Sequence, residues 1–238
     1  MHWKIGSNYV FCHREPENPR MNKDHGPELT SSQLVYSEVK SALTRGERWL
    51  DDKFFDSSIA NRFGVSRTPA REALSKLLVE GLLTRSGRTY SVREFSVSEI
   101  HCLYQLREEL ECLSVRKACE RRSQCNMDVL ENLVVAMDKC IDSEEKSFEF
   151  SQLDQEYHLA IAEMSGNVFL LEAMYSIQNK SALVRGKHLL RQQSRLRAQV
   201  EHKKIIEAFS RELPLVAEAE MRYHIRSSIE AYLRSQDD

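Results

Sequence analysis

Four side chains in the C-terminal part of the sequence have the types and spacing to hold a metal ion. Asp154 and His158 stand four residues apart, so on a helix they share one face. His202 heads a stripe with Ile205, Ile206 and Phe209, and His224 falls in register with Ala217, Met221 and Ala231. Both stripes read as helix faces turned toward a core. Three helices would then each direct an imidazole inward, and one of them adds a carboxylate. Buried imidazoles need partners, and helical bundles build metal sites from facing helices in this way. Three nitrogens and one oxygen suit Zn²⁺, Ni²⁺, Mn²⁺ or Fe²⁺ and leave positions for water or a ligand. Spacing alone leaves a second reading open, in which these histidines are satisfied within the core.

A second group lies nearer the N-terminus, in Ser66-Arg67-Thr68-Pro69-Ala70-Arg71. Pro69 is tolerated only in the first turn of a helix, so a helix begins at Ser66–Thr68, with Ser66 or Thr68 as its cap. Its first turn carries guanidiniums and hydroxyls on the face that Ala70, Ala73, Leu74, Leu77 and Leu78 leave free. Arginine pairs with guanine O6 and N7, serine and threonine reach bases or phosphates, and the free amides of a helix start attract phosphate. Downstream, Gly87-Arg88 forms a turn that could place a cation in or beside the minor groove. A third group is Tyr104, Arg107 and Glu111, with Arg107 one step from an apolar stripe. Its partner is either an acid of the chain, such as Glu108 or Glu111, or an anionic ligand. Asn179 and Arg185 are further candidates for the wall of such a ligand pocket.

The elements that would position these groups are mostly helical. Only 8 Gly and 5 Pro in 238 residues are too few for a long sandwich or Gly-rich phosphate loops. Lys+Arg total 34 against Asp+Glu 36, so any basic surface must be local. Hydrophobic residues at 41% exclude a wholly disordered chain, and no apolar run is long enough to span a bilayer. The six cysteines include no C-x-x-C pair and read as reduced, mostly buried thiols. Residues 1–29 are polar and aperiodic and read as a mobile tail, with Met21 a second candidate start and no signal peptide. Residues 30–95 read as helix (32–45), short helix (57–63), Gly64 turn, helix, and a β-hairpin around Ser86-Gly87-Arg88. Residues 96–238 read as all helix. Ser96 and Glu99 form a capping box that opens the first helix, with Ile100, Leu103, Leu106, Leu110 and Leu113 on one face. Further helices fall near 126–142, 147–165, 168–190, 194–211 and 214–234. His2, His13 and His25 lie in the tail, and His101 and His188 read as surface or rim residues.

Helix, short helix, turn, helix, hairpin is the order of a winged helix-turn-helix, whose third helix presents its N-terminal residues to the major groove. Phe63-Gly64-Val65-Ser66-Arg67-Thr68-Pro69-Ala70-Arg71-Glu72-Ala73-Leu74, followed by Glu80-Gly81-Leu82-Leu83, closely resembles the DNA-binding signature of GntR-family bacterial transcription regulators. The resemblance implies that Arg67, Thr68 and Arg71 read an operator and that Gly87 and Arg88 form the wing tip. It departs at Leu50-Asp51, where Pro-Gly is usual, and at Thr89, where a second wing glycine is common. Leu153-Asp154-Gln155-Glu156-Tyr157-His158 with Ser165-Gly166-Asn167 resembles the first half of the FCD ligand domain of the FadR subfamily. Glu201-His202-Lys203-Lys204-Ile205-Ile206-Glu207-Ala208 and Met221-Arg222-Tyr223-His224 resemble its second half. The metal-binding variant of that domain uses an Asp and three His, which match Asp154, His158, His202 and His224. Members bind small organic acids, and the Tyr104/Arg107/Glu111 segment resembles the one that supplies their arginine.

The expected protein is mainly α, a winged helix-turn-helix of three helices and a hairpin followed by an all-helical effector domain. It would be a cytoplasmic bacterial regulator, not an enzyme, and more commonly a repressor. It would bind a palindromic double-stranded operator as a homodimer, with a divalent metal and a small carboxylate metabolite in its helical half. Two alternatives differ in what the metal does. It is purely structural in one, and in the other it activates water in an enzyme carrying a DNA-targeting head. H-E-x-x-H and G-x-S-x-G motifs are both lacking, which speaks against the enzyme.

Overall fold

The computed structural model describes residues 29–45, 47, 50, 53–189 and 191–234, with side chains for all of these but 186–189. The expected tail, with Cys12, His2, His13 and His25, falls outside the described residues apart from Leu29. So do Asp51 and the side chain of His188.

The N-terminal elements are α1 (Ser31–Arg45), α2 (Asp56–Phe63) and α3 (Arg67–Val79), then strands β1 (Leu83–Ser86) and β2 (Thr89–Val92). The strands pair antiparallel with Leu83 opposite Val92 and Ser86 opposite Thr89. Gly64 closes α2 at φ 65°, ψ 30°, in the left-handed region where only glycine is unstrained. Its amide and that of Val65 bond back to Asn61 and Ala60, which turns the chain into α3. Gly87 takes φ 61° at the hairpin tip. Val35, Val39, Leu43, Ile59, Ala70, Leu74, Leu77, Leu82, Leu83 and Tyr90 form the core between these elements. Phe54 joins the hairpin through paired backbone bonds with Tyr90, at 2.9 and 2.8 Å. Periodicity did not signal this contact, because a single bridging residue has no period. Ser66 occupies the N-cap position of α3 with extended backbone, but neither it nor Thr68 makes a side-chain cap bond there.

The second half is helical throughout: α4 (Val97–Glu120), α5 (Met127–Asp138), α6 (Ser147–Met164), α7 (Val168–Leu189), α8 (Gln192–Ser210) and α9 (Pro214–Arg234). The expected capping box opens α4. Ser96 Oγ accepts from the Glu99 amide at 3.3 Å, and Glu99 Oε2 accepts from the Ser96 amide at 2.9 Å. Helix α5 ends at Asp138 rather than near 142. Beyond that end, the buried Arg195 guanidinium donates to the Ile141 and Ser143 carbonyls at 2.8 and 3.3 Å. The buried face of α4 also differs from its apolar periodicity. Leu106 is 51% exposed, whereas Arg107 and Glu111 lie on the buried face beside Tyr104, Ser114 and Val115. Of the described cysteines, Cys112, Cys119 and Cys140 are buried, Cys125 is half-buried and Cys102 is exposed.

Helix α7 serves both halves. Leu183 packs on the N-terminal core, and the Lys180 stem approaches Gly81 beside the Arg93 guanidinium. Gln178 and Arg185, on the same helix, are buried in the helical half. Among the described residues, no helix is long and apolar enough to cross a membrane.

Replacing Ser96 by Ala should remove one cap acceptor and lower stability by about 1 kcal/mol. Chemical denaturation of the two proteins checks this, and unchanged stability would deny the cap any part in holding α4.

Candidate metal centre

The four residues singled out by spacing converge. Asp154 and His158 come from α6, His202 from α8 and His224 from α9. One ligand atom from each lies within 4.8 Å of all the others. All four are buried, at 3% exposure or less. The imidazole centroids are 4.7 Å apart for His202 and His224, 5.2 Å for His158 and His224, and 5.5 Å for His158 and His202.

Outer partners fix two of the rings. His158 Nδ1 faces Glu111 Oε2 at 2.9 Å, and its Nε2 lies 3.2 Å from Arg107 Nη2. Arginine only donates, so Nε2 carries the lone pair and Nδ1–H donates to Glu111. His224 Nδ1 faces Glu201 Oε2 at 2.8 Å, and the other oxygen of Glu201 accepts from Ser227 Oγ at 2.7 Å. Carboxylates on the outer nitrogen set the tautomer and turn Nε2 inward, as in metal sites generally. His202 has no such partner. Neither of its ring nitrogens is hydrogen-bonded, although the ring is fully buried and Nε2 stands 3.4 Å from Asp154 Oδ1. Burial pushes its pKa well below the usual imidazole value, and His224 adds to the shift. A neutral buried imidazole with both nitrogens unpaired, beside a carboxylate and the inward Nε2 atoms of two more histidines, that of His158 now accepting from Arg107, fits a divalent cation.

The charges around this centre form a connected network. Burial alone would raise the Glu111 pKa, but His158 and Arg107 outweigh it and hold the carboxyl at about 2. Glu111 Oε1 accepts from Arg107 Nε at 3.1 Å and from Gln178 Nε2 at 2.7 Å. Gln178 Oε1 in turn accepts from Arg185 Nη2 at 2.9 Å, and Arg185 Nη1 donates to Asp154. Burial likewise opposes ionisation of Asp154, yet Arg185, His158 and His202 hold it well below the usual carboxylate range. Glu111, weighed from sequence as a partner of Arg107, is thus bonded to it. Gln178 and Glu201 had no sequence signal beyond their nearness to Arg185 and His202.

The remaining residues of interest divide into those near the centre and those elsewhere. Tyr104 places its ring 5.5 Å from the Arg107 guanidinium. Tyr104 OH, Arg107 Nη1 and Arg185 Nε are buried without a hydrogen-bond partner. Tyr104 also lines a groove of about 330 Å³ with His101, Glu108, Ile225, Arg226 and Ile229, which Arg107, Asn179 and Arg185 do not line. Asn179 bonds to Gln155 at 3.3 Å, and no hydrogen bond joins it to Arg107 or Arg185. In the N-terminal half, Ser66, Arg67, Thr68 and Arg71 are exposed around the first turn of α3, and Gly87 and Arg88 at the hairpin tip. Sequence reading missed Asp56, which bonds to both Arg67 and Arg71.

Residues 102–227 match the family model described as the FCD domain, and residues 31–89 match that described as bacterial regulatory proteins, gntR family. The chain is 32% identical over 135 residues to the Nta operon transcriptional regulator of Aminobacter aminovorans, covering 56% of this chain and 63% of that protein. It is 30% identical over 141 residues to the HTH-type transcriptional repressor GlaR of Escherichia coli, covering 58% and 64%. The chain thus spans a little under two thirds of the length of each. Among solved structures, E. coli McbR/YncC has the same fold, with a TM-score of 0.74 at 18% identity over 88% of this chain and 100% of that one.

Glu111→Gln should destabilise the protein by about 3 kcal/mol or more, because it leaves the buried Arg107 cation without its counter-charge. Chemical denaturation measures this, and a loss below about 1 kcal/mol would mean that the network does not depend on this carboxylate.

Proposed function

From the premise that the chain belongs to the GntR family of bacterial regulatory proteins and carries an FCD domain, we propose a metabolite-responsive transcription regulator. In this reading residues 30–95 are the DNA-binding head and residues 96–238 the metal- and effector-binding domain, working in the cytoplasm as a homodimer on a palindromic operator. The observation that carries the regulatory part is the set of four buried ligand atoms within 4.8 Å of one another, on a chain whose other half matches a DNA-binding family.

Asp154, His158, His202 and His224 would hold the ion. When bound, it would supply a Lewis-acidic centre that attracts a carboxylate. The unpaired Arg107 Nη1, Arg185 Nε and Tyr104 OH supply donors of the kind an organic acid needs. Asn179 is a weaker candidate for the same wall. In the head, Arg67 and Arg71 would reach guanine edges, and Ser66 and Thr68 bases or phosphates, with Gly87 and Arg88 at the minor groove. Helix α7 offers the connection between the two. It carries Gln178 and Arg185 in the network around the centre and Leu183 in the core of the head. A ligand that shifts α7 would bias the placement of the heads and so change operator affinity, through differential binding to two states. Relief of repression is the expected direction; GlaR is a repressor by name.

The complete burial of the four ligands also favours a second reading, in which the ion is purely structural. Metal content of the purified protein, with thermal melting against a panel of small organic acids, separates the two. We expect near one ion per chain, lost in His202→Ala, and one acid class that raises the melting point only when metal is present. Unchanged metal content in His202→Ala would overturn the ligand set. Metal with no response to any acid would leave the structural reading. Arg67→Ala should weaken binding to a selected operator about tenfold or more while leaving the melting point unchanged, and undiminished specific affinity would overturn the assignment of α3.

A further inference from the structure

Asp56 opens α2 and stands beside the first turn of α3. Its carboxylate divides between the two arginines there. Oδ1 accepts from Arg67 Nη2 at 2.9 Å, and Oδ2 accepts from Arg71 Nε at 3.0 Å and Nη2 at 2.9 Å. The Asp56 side chain is 14% exposed, whereas Arg67 and Arg71 are 63% and 58% exposed. The acid is sheltered and the guanidiniums project beyond it.

An acid in this place weakens any contact with a polyanion, since it cancels positive charge on the face that would meet phosphates. Ion pairs with arginines so exposed contribute little to stability. A position at the start of α2 also suits an acid, through the helix dipole. That accounts for one carboxylate at the helix start. It does not account for two arginines, eleven and fifteen residues further on, both bonding to it.

We propose that Asp56 is a specificity-determining positioning residue, which holds Arg67 and Arg71 in the conformations that read bases and penalises those in which they turn to phosphate. The inference rests on the DNA-binding reading above. Arg71 gives its Nε and one Nη2 hydrogen to the carboxylate, so its Nη1–Nη2 end is left facing outward for a pair of acceptors such as guanine O6 and N7. Arg67 gives up a single Nη2 hydrogen and keeps its remaining donors. Holding both side chains before binding removes part of the rotamer entropy that a base contact would cost. An arginine that swings to a phosphate abandons the carboxylate and leaves it unpaired beside the DNA. Asp56 therefore weakens non-specific contacts more than specific ones.

The test uses the full chain and duplexes selected by the wild-type protein from a random-sequence pool. Affinities for a selected duplex and for a scrambled duplex of the same composition are compared for wild type, Asp56→Asn and Asp56→Glu, with thermal melting as the check on folding. In Asp56→Asn, binding to the scrambled duplex should tighten and binding to the selected duplex should not. The ratio of the two should fall about tenfold. Asp56→Glu keeps the charge but displaces the fork, and should give an intermediate ratio. Ratios within about twofold of wild type in both variants would overturn the proposal and leave Asp56 as a helix-start acid. Should the wild-type protein select no sequence at all, the DNA-binding reading fails and the proposal falls with it, an outcome distinct from an unchanged ratio.

Discussion

The fully buried Glu111 carboxylate is the interaction on which the rest of the helical domain depends. An anion taken out of water is tolerable only if its oxygens are met by donors and its charge is balanced. Glu111 meets both conditions with groups from three helices: Arg107 of α4, His158 of α6 and Gln178 of α7. Each contact has a consequence. The bond to His158 sets the imidazole tautomer and turns Nε2 toward the centre. The bond to Arg107 keeps a guanidinium in the interior. The bond to Gln178 joins this half of the network to Arg185 and through it to Asp154. Two carboxylates and two guanidiniums are thereby held around the three imidazoles, with His202 the one ring whose nitrogens nothing in the network satisfies.

This arrangement explains why a site so polar sits in the middle of a packed bundle. Phe150, Tyr157, Ile161, Ile205, Phe209, Met221 and Ile225 belong to the buried apolar core of the same helices, and burial of this kind strengthens each charge interaction inside. Tyr157 does both jobs: its ring packs 4.5 Å from His202, and its hydroxyl donates to the His202 carbonyl at 3.3 Å. The network passes through Gln178 and Arg185 of α7, the helix that also packs Leu183 against the other core.

Much of this was legible in the sequence because it follows local rules. The Ser96/Glu99 box, the Gly64 turn and the hairpin around Gly87 each depend on a few neighbouring residues, and all are found where spacing put them. The convergence of Asp154, His158, His202 and His224 was legible for the same reason, since the first two stand four residues apart and the other two lie in stripes of helical period. What was not legible depends on partners far apart in the chain. Apolar periodicity set Arg107 beside the buried stripe of α4 and included Leu106, whereas the helix buries Arg107 and Glu111 and exposes Leu106. A face buried as paired charges has no signature in a pattern that counts only apolar residues. The segment after α5 is met by Arg195, more than fifty residues later in the chain. The Asp56 fork joins two elements across a turn, and no spacing rule predicts it.

X-ray absorption spectroscopy of the metal-bearing protein, as purified, tests the central claim most directly. Ligation by Asp154, His158, His202 and His224 predicts a coordination sphere of nitrogen and oxygen with the scattering pattern of three imidazoles and no sulfur. A sulfur ligand would place the ion at the cysteines instead. A protein that retains no ion after metal reconstitution would contradict the metal centre altogether.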